Sequence, residues 1–109
     1  MMTTQIPIEH PGVILKEEFI EAFDLTPYAV AKRTGIPQTA LSEILRGKRN
    51  ISATNALKLS EFFGVSESFF INIQTRCNLD IAKEKAQEAL SEIIPFRGLT
   101  PSDAEFLEA

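Results

Sequence analysis

The sequence has one cysteine and one histidine, and it contains no glycine-rich phosphate loop. Cys77 cannot form an internal disulfide, which is typical of proteins in a reducing compartment. His10 has no cysteine or acidic cluster near it at metal-ligand spacing, so we expect no metal site. Because a Ser/His/Asp set is also missing, the sequence favours a protein that is not an enzyme and needs no cofactor.

The chain also lacks long hydrophobic runs. No stretch approaches the roughly 18 apolar residues that a transmembrane helix needs. The first eleven residues lack the basic cluster and apolar stretch of a secretory signal. These absences predict a cytoplasmic protein without a membrane contact.

Hydrophobic residues make up 44% of the 109 positions, and eight of them are phenylalanine, which is enough for a core. No segment of any length alternates with the period of a β-strand, and helix signals follow one another at short spacing. We therefore predict an all-α fold with five core helices and a C-terminal helical extension. The predicted organisation is an N-terminal arm at 1–10, a helical domain at 11–76, and an extension with a tail at 77–109.

Proline, glycine and hydroxyl residues mark the predicted helix ends. Helix one runs from about Pro11 to Phe23, and its apolar stripe includes Phe19 and Phe23. Helix two begins after the cap residue Thr26 and ends at Gly35. Helix three covers 37–47, helix four follows Ser52 with Leu57 among its inward residues, and helix five begins near Ser66 and carries Leu79 inward. A charged helical segment is predicted at 81–94 and a short final helix at 104–108.

Charge is distributed unevenly along the chain. The net charge is −4, yet residues 26–58 carry six basic side chains against Glu43 alone. Both flanks are acidic. Since groove binding depends on the local patch rather than on the net charge, the basic middle is compatible with nucleic-acid binding.

Helix three has two distinct faces. Leu41, Ile44 and Leu45 form an inward stripe, and the residues opposite them are polar. Such side chains suit base edges in the major groove, because glutamine bonds adenine, threonine contacts the thymine methyl group and glutamate accepts from cytosine. A polar helix face is also compatible with simple solvation, but the turn before it and the basic residues after it favour DNA. The predicted base-reading residues are Gln38, Thr39, Ser42 and Glu43.

Residues on either side of this helix suit the DNA backbone, which basic and hydroxyl side chains contact without reading sequence. Thr26 and Tyr28 stand at the start of helix two, where a hydroxyl and free N–H groups can bind a phosphate. Thr26 is equally suited to plain helix capping, and the two roles are compatible. The other predicted backbone contacts follow helix three and are Arg46, Lys48, Arg49 and Asn50.

Ala31, Gly35 and Leu41 occupy the small, glycine and apolar positions of a helix-turn-helix motif, and residues 12–75 resemble the lambda-repressor-like Xre family. Three further motifs resemble its HigA-type antitoxin subgroup: Pro11-Gly12-x-x-Leu15, Gly47-Lys48-Arg49-x-Ile51-Ser52 and the run from Phe69 to Gln74. The subgroup often has tryptophan at the position of Phe70 and tyrosine near Cys77, so both positions depart from the pattern.

The resemblance implies a sequence-specific repressor that binds double-stranded operator DNA, neutralises a small RNA-cleaving toxin and regulates its own operon. Two alternatives remain, a stand-alone Xre-family regulator and a protein-binding module without DNA contact. A neighbouring gene for a short basic protein would distinguish the antitoxin from the stand-alone regulator.

A palindromic operator calls for a homodimer. The chain has more apolar residues after helix four than a small core needs, and these either close the core or contact another chain. The predicted dimer or partner residues are Phe70, Ile73, Ile81, Leu90 and Ile94. For a basic toxin, the complementary surfaces are acidic, either Glu17, Glu18, Glu21 and Asp24, or Glu84, Glu88, Glu92 and the tail.

Overall fold

A computed structural model describes residues 9–96, which form six α-helices and no β-strand. Helix α1, Pro11–Ile14, continues directly as a π-helical segment, Leu15–Glu21. The later helices are α2 Pro27–Thr34, α3 Gln38–Leu45, α4 Ala53–Phe63, α5 Phe69–Lys85 and α6 Gln87–Ser91. The predicted all-α fold is confirmed. The first eight residues and the predicted final helix at 104–108 lie outside the described residues.

Several helix ends follow the chemistry expected from the sequence. Thr26 and Ser52 cap α2 and α4, each accepting a backbone N–H three residues ahead, at 3.1 and 3.2 Å. Gly35 and Gly64 end the same two helices with φ of +80° and +71°, in the left-handed region that favours glycine. The turns around α3 are therefore built from local signals.

The first helix differs from the prediction. It changes to π-helical geometry at Leu15 and ends at Glu21, and Asp24 then turns the chain with φ +59°. The buried residues of this segment, Leu15 and Ile20, are five positions apart, which matches the i→i+5 hydrogen bonds of a π-helix. Because the helix ends early, Phe23 is 62% exposed instead of facing inward.

The last core helix also differs. It begins at Phe69, after a turn at 67–68, and continues without a break to Lys85. The charged segment predicted at 81–94 is therefore the end of α5 followed by a short α6, and the chain is no longer helical at Ile93 and Ile94. Leu79 of α5 and Leu57 of α4 were expected to face inward, but both are about half exposed because they lie on the outer faces of their helices.

The core is built from the π-helical segment, α2, α3, α4 and α5, each of which contributes buried residues. Its largest member is Phe70, which is 1% exposed, and its other fully buried members are aliphatic. Phe19 joins the aromatic part of the core, with ring centroids 5.0 Å from Phe63 and 5.1 Å from Phe70. This packing fixes α3 on one side of the molecule and leaves its polar face outside.

Candidate nucleic-acid interface

The start of α2 presents hydroxyl groups to solvent. Thr26 and Tyr28 are both exposed, and the Thr26 side chain caps the helix through the Ala29 N–H. The ammonium group of Lys32, one turn further along α2, lies 6.0 Å from the centroid of the Tyr28 ring. A phosphate at this helix end would meet free backbone N–H groups together with a positive charge.

The turn between α2 and α3 is fixed by one side chain. The Thr34 hydroxyl donates to the Val30 carbonyl at 2.7 Å and accepts from the Ile36 N–H at 3.2 Å. Ile36 and Ala31 are buried beneath the turn. The orientation of α3 relative to α2 is therefore set by packing and by hydrogen bonds.

Helix α3 has the two faces that the sequence predicts. Ala40, Leu41 and Ile44 are buried and Leu45 is half-buried. Gln38, Thr39 and Ser42 are exposed on the opposite face. Pro37 precedes the helix and supplies no side-chain cap, so the first N–H groups of α3 lack a capping side chain.

The residues after α3 form what we call the basic loop, residues 46–50. It is tied to the end of α3 by backbone hydrogen bonds: Gly47 donates to the Ile44 carbonyl at 3.0 Å, and Lys48 donates to the Glu43 carbonyl at 2.8 Å. Gly47 has φ +76°, and its left-handed conformation lets the chain turn back at this point. The loop therefore has a fixed backbone conformation, and it exposes three basic side chains.

The structure brings part of the predicted set together. Thr26, Ser42 and Arg46 line one cleft formed by the π-helical segment, the start of α2 and the end of α3, so a predicted base-reading residue lies beside two predicted backbone contacts. The Arg46 guanidinium also folds back on its own helix, with Nε 3.4 Å from the Ser42 carbonyl.

Glu43 is the exception among the four predicted base-reading residues. It is half-buried, and its carboxylate Oε1 accepts from Nε and Nη2 of Arg49, at 2.8 and 2.7 Å. A predicted base-reading residue and a predicted backbone contact are thus joined in one ion pair.

The predicted dimer or partner residues lie in three different environments: the core, a groove and the exposed surface. Phe70 is a core residue, since a side chain buried inside the monomer has no surface to offer another chain. Ile73 and Leu90 line a groove along α5 and α6, together with Phe69 and Cys77. Ile81 and Ile94 are exposed, Ile94 at 75%.

Two residues beneath the basic loop were not among the predicted site residues. The amide of Gln74 on α5 is buried, and its Oε1 accepts from the Ile51 N–H at 2.7 Å, where the loop enters α4. His10 caps α1, accepting the Gly12 N–H at Nδ1 at 2.9 Å, and its ring lies against Gly47. The His-Pro pair before the first helix was a signal for the cap, whereas the contacts between distant segments left no sequence signal.

Cys77 behaves as a packing residue. Burial raises the pKa of its thiol, and the nearby Asp80 carboxylate raises it further. The thiol form, which is the less reactive one, is therefore favoured. Within residues 9–96 no cluster of three or more His, Cys, Asp or Glu side chains could hold a metal ion. In the same range no helix is long and apolar enough to cross a membrane.

Comparison with known proteins gives a consistent result. A family described as "Helix-turn-helix" matches residues 15–70. Virulence-associated protein I of Dichelobacter nodosus is 35% identical over 84% of this chain and 83% of its own length. Antitoxin HigA-1 of Vibrio cholerae is 30% identical over 77% of this chain and 79% of its own length.

The solved structures agree with these relatives. The antitoxin HigA of Pseudomonas aeruginosa, solved with the higBA promoter, aligns with a TM-score of 0.78 and 33% identity. The alignment covers 83% of this chain and 99% of that one. With the motif match, the sequence relatives and the α2–α3 geometry in agreement, the chain belongs to the Xre-like helix-turn-helix family and within it resembles HigA-type antitoxins.

Proposed function

We propose that the protein is an antitoxin that binds operator DNA, represses its own operon as a homodimer and neutralises a small basic RNA-cleaving toxin. The observation that carries the DNA-binding part is the exposed polar face of α3, positioned between the start of α2 and the basic loop. The similarity to an antitoxin solved with its promoter supports the regulatory role.

In this proposal α3 enters the major groove with its N-terminal residues deepest, as recognition helices of this type do. Gln38, Thr39 and Ser42 contact base edges. Thr26, Tyr28 and the basic loop with Arg46, Lys48, Arg49 and Asn50 hold phosphates on both sides of the groove, adding affinity without sequence information.

The DNA-binding role is tested by one substitution at a base contact and one at a phosphate contact, because the two should have different effects. Selection of binding sites from random duplexes gives the operator sequence, and Gln38→Ala is expected to relax the preference at one base position by roughly 1–3 kcal/mol. Lys48→Ala is expected to weaken binding to all duplexes and to lower the slope of log K against log salt by about one unit. A wild-type protein without salt-dependent DNA binding would contradict the proposal.

The toxin-binding part of the proposal depends on charge. Glu17, Glu18 and Glu21 are exposed on the π-helical segment, and Asp24 is exposed in the turn after it. A second candidate surface consists of the exposed Glu84 of α5, Glu88 of α6 and Glu92 just after α6, beside apolar side chains of the same helices. Either surface is complementary to a basic protein that binds RNA.

Co-expression with the product of a neighbouring gene, followed by affinity capture, tests this partner. Replacing Glu17 and Glu18 by lysine tests the first surface, and Glu21 is left unchanged because it lines the same cleft as Thr26, Ser42 and Arg46. The same change at Glu84, Glu88 and Glu92 tests the second. We expect one of these variants to lose the partner, and the first variant to keep salt-dependent DNA binding. If DNA binding is found but no neighbouring product is captured, the protein is a stand-alone regulator of the same family.

A further inference from the structure

The ion pair between Glu43 and Arg49 has a specific geometry. One carboxylate oxygen, Oε1, accepts both the Nε–H of Arg49 at 2.8 Å and an Nη2–H at 2.7 Å. The two residues are six positions apart, so the contact joins α3 to the basic loop rather than two residues of one helix face. The Glu43 backbone carbonyl also accepts the Lys48 N–H at 2.8 Å. Glu43 therefore holds the loop through both its main chain and its side chain.

Arg49 keeps unused donors in this arrangement. A guanidinium group has five N–H donors, and the pair with Glu43 occupies one at Nε and one at Nη2. The remaining N–H groups are at Nη1 and on the outer side of Nη2. Because a phosphate takes two N–H groups of an arginine side by side, Arg49 can bind Glu43 and a phosphate at the same time.

The charge of Glu43 also favours a role beside Arg49. It is the one acidic residue between positions 26 and 58, the segment that supplies the proposed DNA contacts. An unpaired carboxylate on that surface would repel the phosphates, whereas pairing with Arg49 offsets its charge locally. An exposed arginine also loses side-chain freedom when it binds a phosphate, and a partner that already holds the guanidinium reduces that loss.

We propose that Glu43 is a positioning residue, which orients Arg49 toward a DNA phosphate instead of reading a base. The proposal rests on the proposed DNA-binding function. It replaces the expectation from the sequence that Glu43 contacts a cytosine, and it assigns the specificity of α3 to Gln38, Thr39 and Ser42.

A double-mutant cycle tests the proposal. The wild type, Glu43→Gln, Arg49→Ala and the double variant are titrated with the selected operator duplex and with an unrelated duplex. We expect Glu43→Gln alone to weaken binding to both duplexes by the same factor, about three- to fivefold, the size of an exposed ion pair. In the Arg49→Ala background the same substitution is expected to leave binding unchanged or to tighten it, because only a repulsive charge is then removed.

Glu67→Gln is the matched control, since Glu67 is an exposed acid in the turn before α5. We expect it to leave binding unchanged. Arg49→Lys adds a second readout: a lysine keeps the charge but lacks the planar fork, so it should recover only part of the affinity lost in Arg49→Ala. Unchanged thermal unfolding of Glu43→Gln would show that the fold is intact.

Two results would overturn the positioning role while leaving DNA binding in place. If Glu43→Gln changes the selected base at one position and weakens binding equally in both backgrounds, Glu43 reads a base. If it tightens binding in the wild-type background, the pair competes with DNA. A wild-type protein that binds neither duplex would instead contradict the proposed function itself, and with it this inference.

Discussion

The buried amide of Gln74 joins α5 to the segment that leads into α4. It accepts the N–H of Ile51, a residue that is 2% exposed, and donates to the Asn78 side chain at 2.9 Å. Replacing it with methionine keeps the volume but leaves the Ile51 N–H without a partner. We expect Gln74→Met to lower the free energy of unfolding by about 1–3 kcal/mol, measured by urea denaturation.

Asn78→Ala is the control for that substitution, because it removes only the second of the two hydrogen bonds, at an exposed position. It should cost less than Gln74→Met. Equal unfolding midpoints for Gln74→Met and the wild type would show that water or a backbone shift satisfies the Ile51 N–H.

His10 makes the stability of the first helix depend on pH. Burial lowers the pKa of the imidazole, and the nearby Arg49 backbone opposes this to a smaller degree. The neutral ring, whose Nδ1 accepts the Gly12 N–H, is therefore favoured in the folded state. Its contribution is present above the unfolded pKa of about 6.5 and is lost as the pH falls through the lower folded value.

We expect the free energy of unfolding to decrease between pH 7 and pH 5 more steeply in the wild type than in His10→Asn. Asparagine keeps a helix cap but does not titrate in this range. The comparison isolates the contribution of this one side chain. Parallel pH profiles for the two proteins would contradict this role of His10.

At the scale of helices, Gly12 determines how closely α1 approaches α3. A Cβ atom at this position would lie 1.9 Å from the Ile44 carbonyl oxygen, which is backbone and cannot move alone. Gly12→Ala is expected to separate the two helices, to lower the free energy of unfolding by about 1–3 kcal/mol and to reduce affinity for operator DNA.

Gly64→Ala is a suitable control, because a Cβ there meets nothing within 4 Å and the cost comes only from the positive φ. It should destabilise the protein without affecting DNA binding once the fraction of folded protein is equal. If both variants bind DNA alike under those conditions, the contact between α1 and α3 does not position the reading face.

The helices also show what the sequence could predict. The caps at Thr26 and Ser52 and the glycines at 35 and 64 depend on neighbouring residues, so local signals located α2 and α4. The π-helical geometry at Leu15–Glu21 and the exposure of Leu57 and Leu79 depend on which elements pack nearby. Such tertiary effects leave little trace in a local pattern.

The same distinction applies to the candidate site. The polar face of α3 follows from helical periodicity, and residues 38, 39 and 42 are exposed as expected. The contacts of Glu43 with Arg49 and of Gln74 with Ile51 depend on how the chain folds back after Gly47. Neither contact could be read from a single segment.

For the molecule as a whole, the described residues 9–96 include several exposed apolar side chains on α5, on α6 and just after α6. Among them are Ile81 at 36%, Leu90 at 50% and Ile94 at 75% exposure, and Leu90 lines the same groove as Ile73. Exposed apolar surfaces of this kind mark interfaces, and a palindromic operator needs two copies of α3 about 34 Å apart. We therefore propose that the homodimer forms through these side chains.

We expect Ile81→Glu to shift the protein toward the monomer in sedimentation experiments at micromolar concentration and to weaken operator binding. Leu57→Glu is the matched control, since Leu57 is an exposed leucine on α4, away from this surface. A wild type that sediments only as a monomer, or two variants with the same effect, would contradict this interface.

Helix α5 links the core, the basic loop and the exposed apolar residues. It carries the core residue Phe70, the loop anchor Gln74 and the exposed Ile81 on one uninterrupted helical rod. Gln74 and Ile81 are seven positions apart, which is about 10 Å along a helix axis. In a dimer joined through Ile81, the length of this rod would act as a ruler for the spacing of the two operator half-sites. One extra residue between the two positions would rotate the partner by about 100°, so α5 should tolerate substitutions on its surface far better than any change of length.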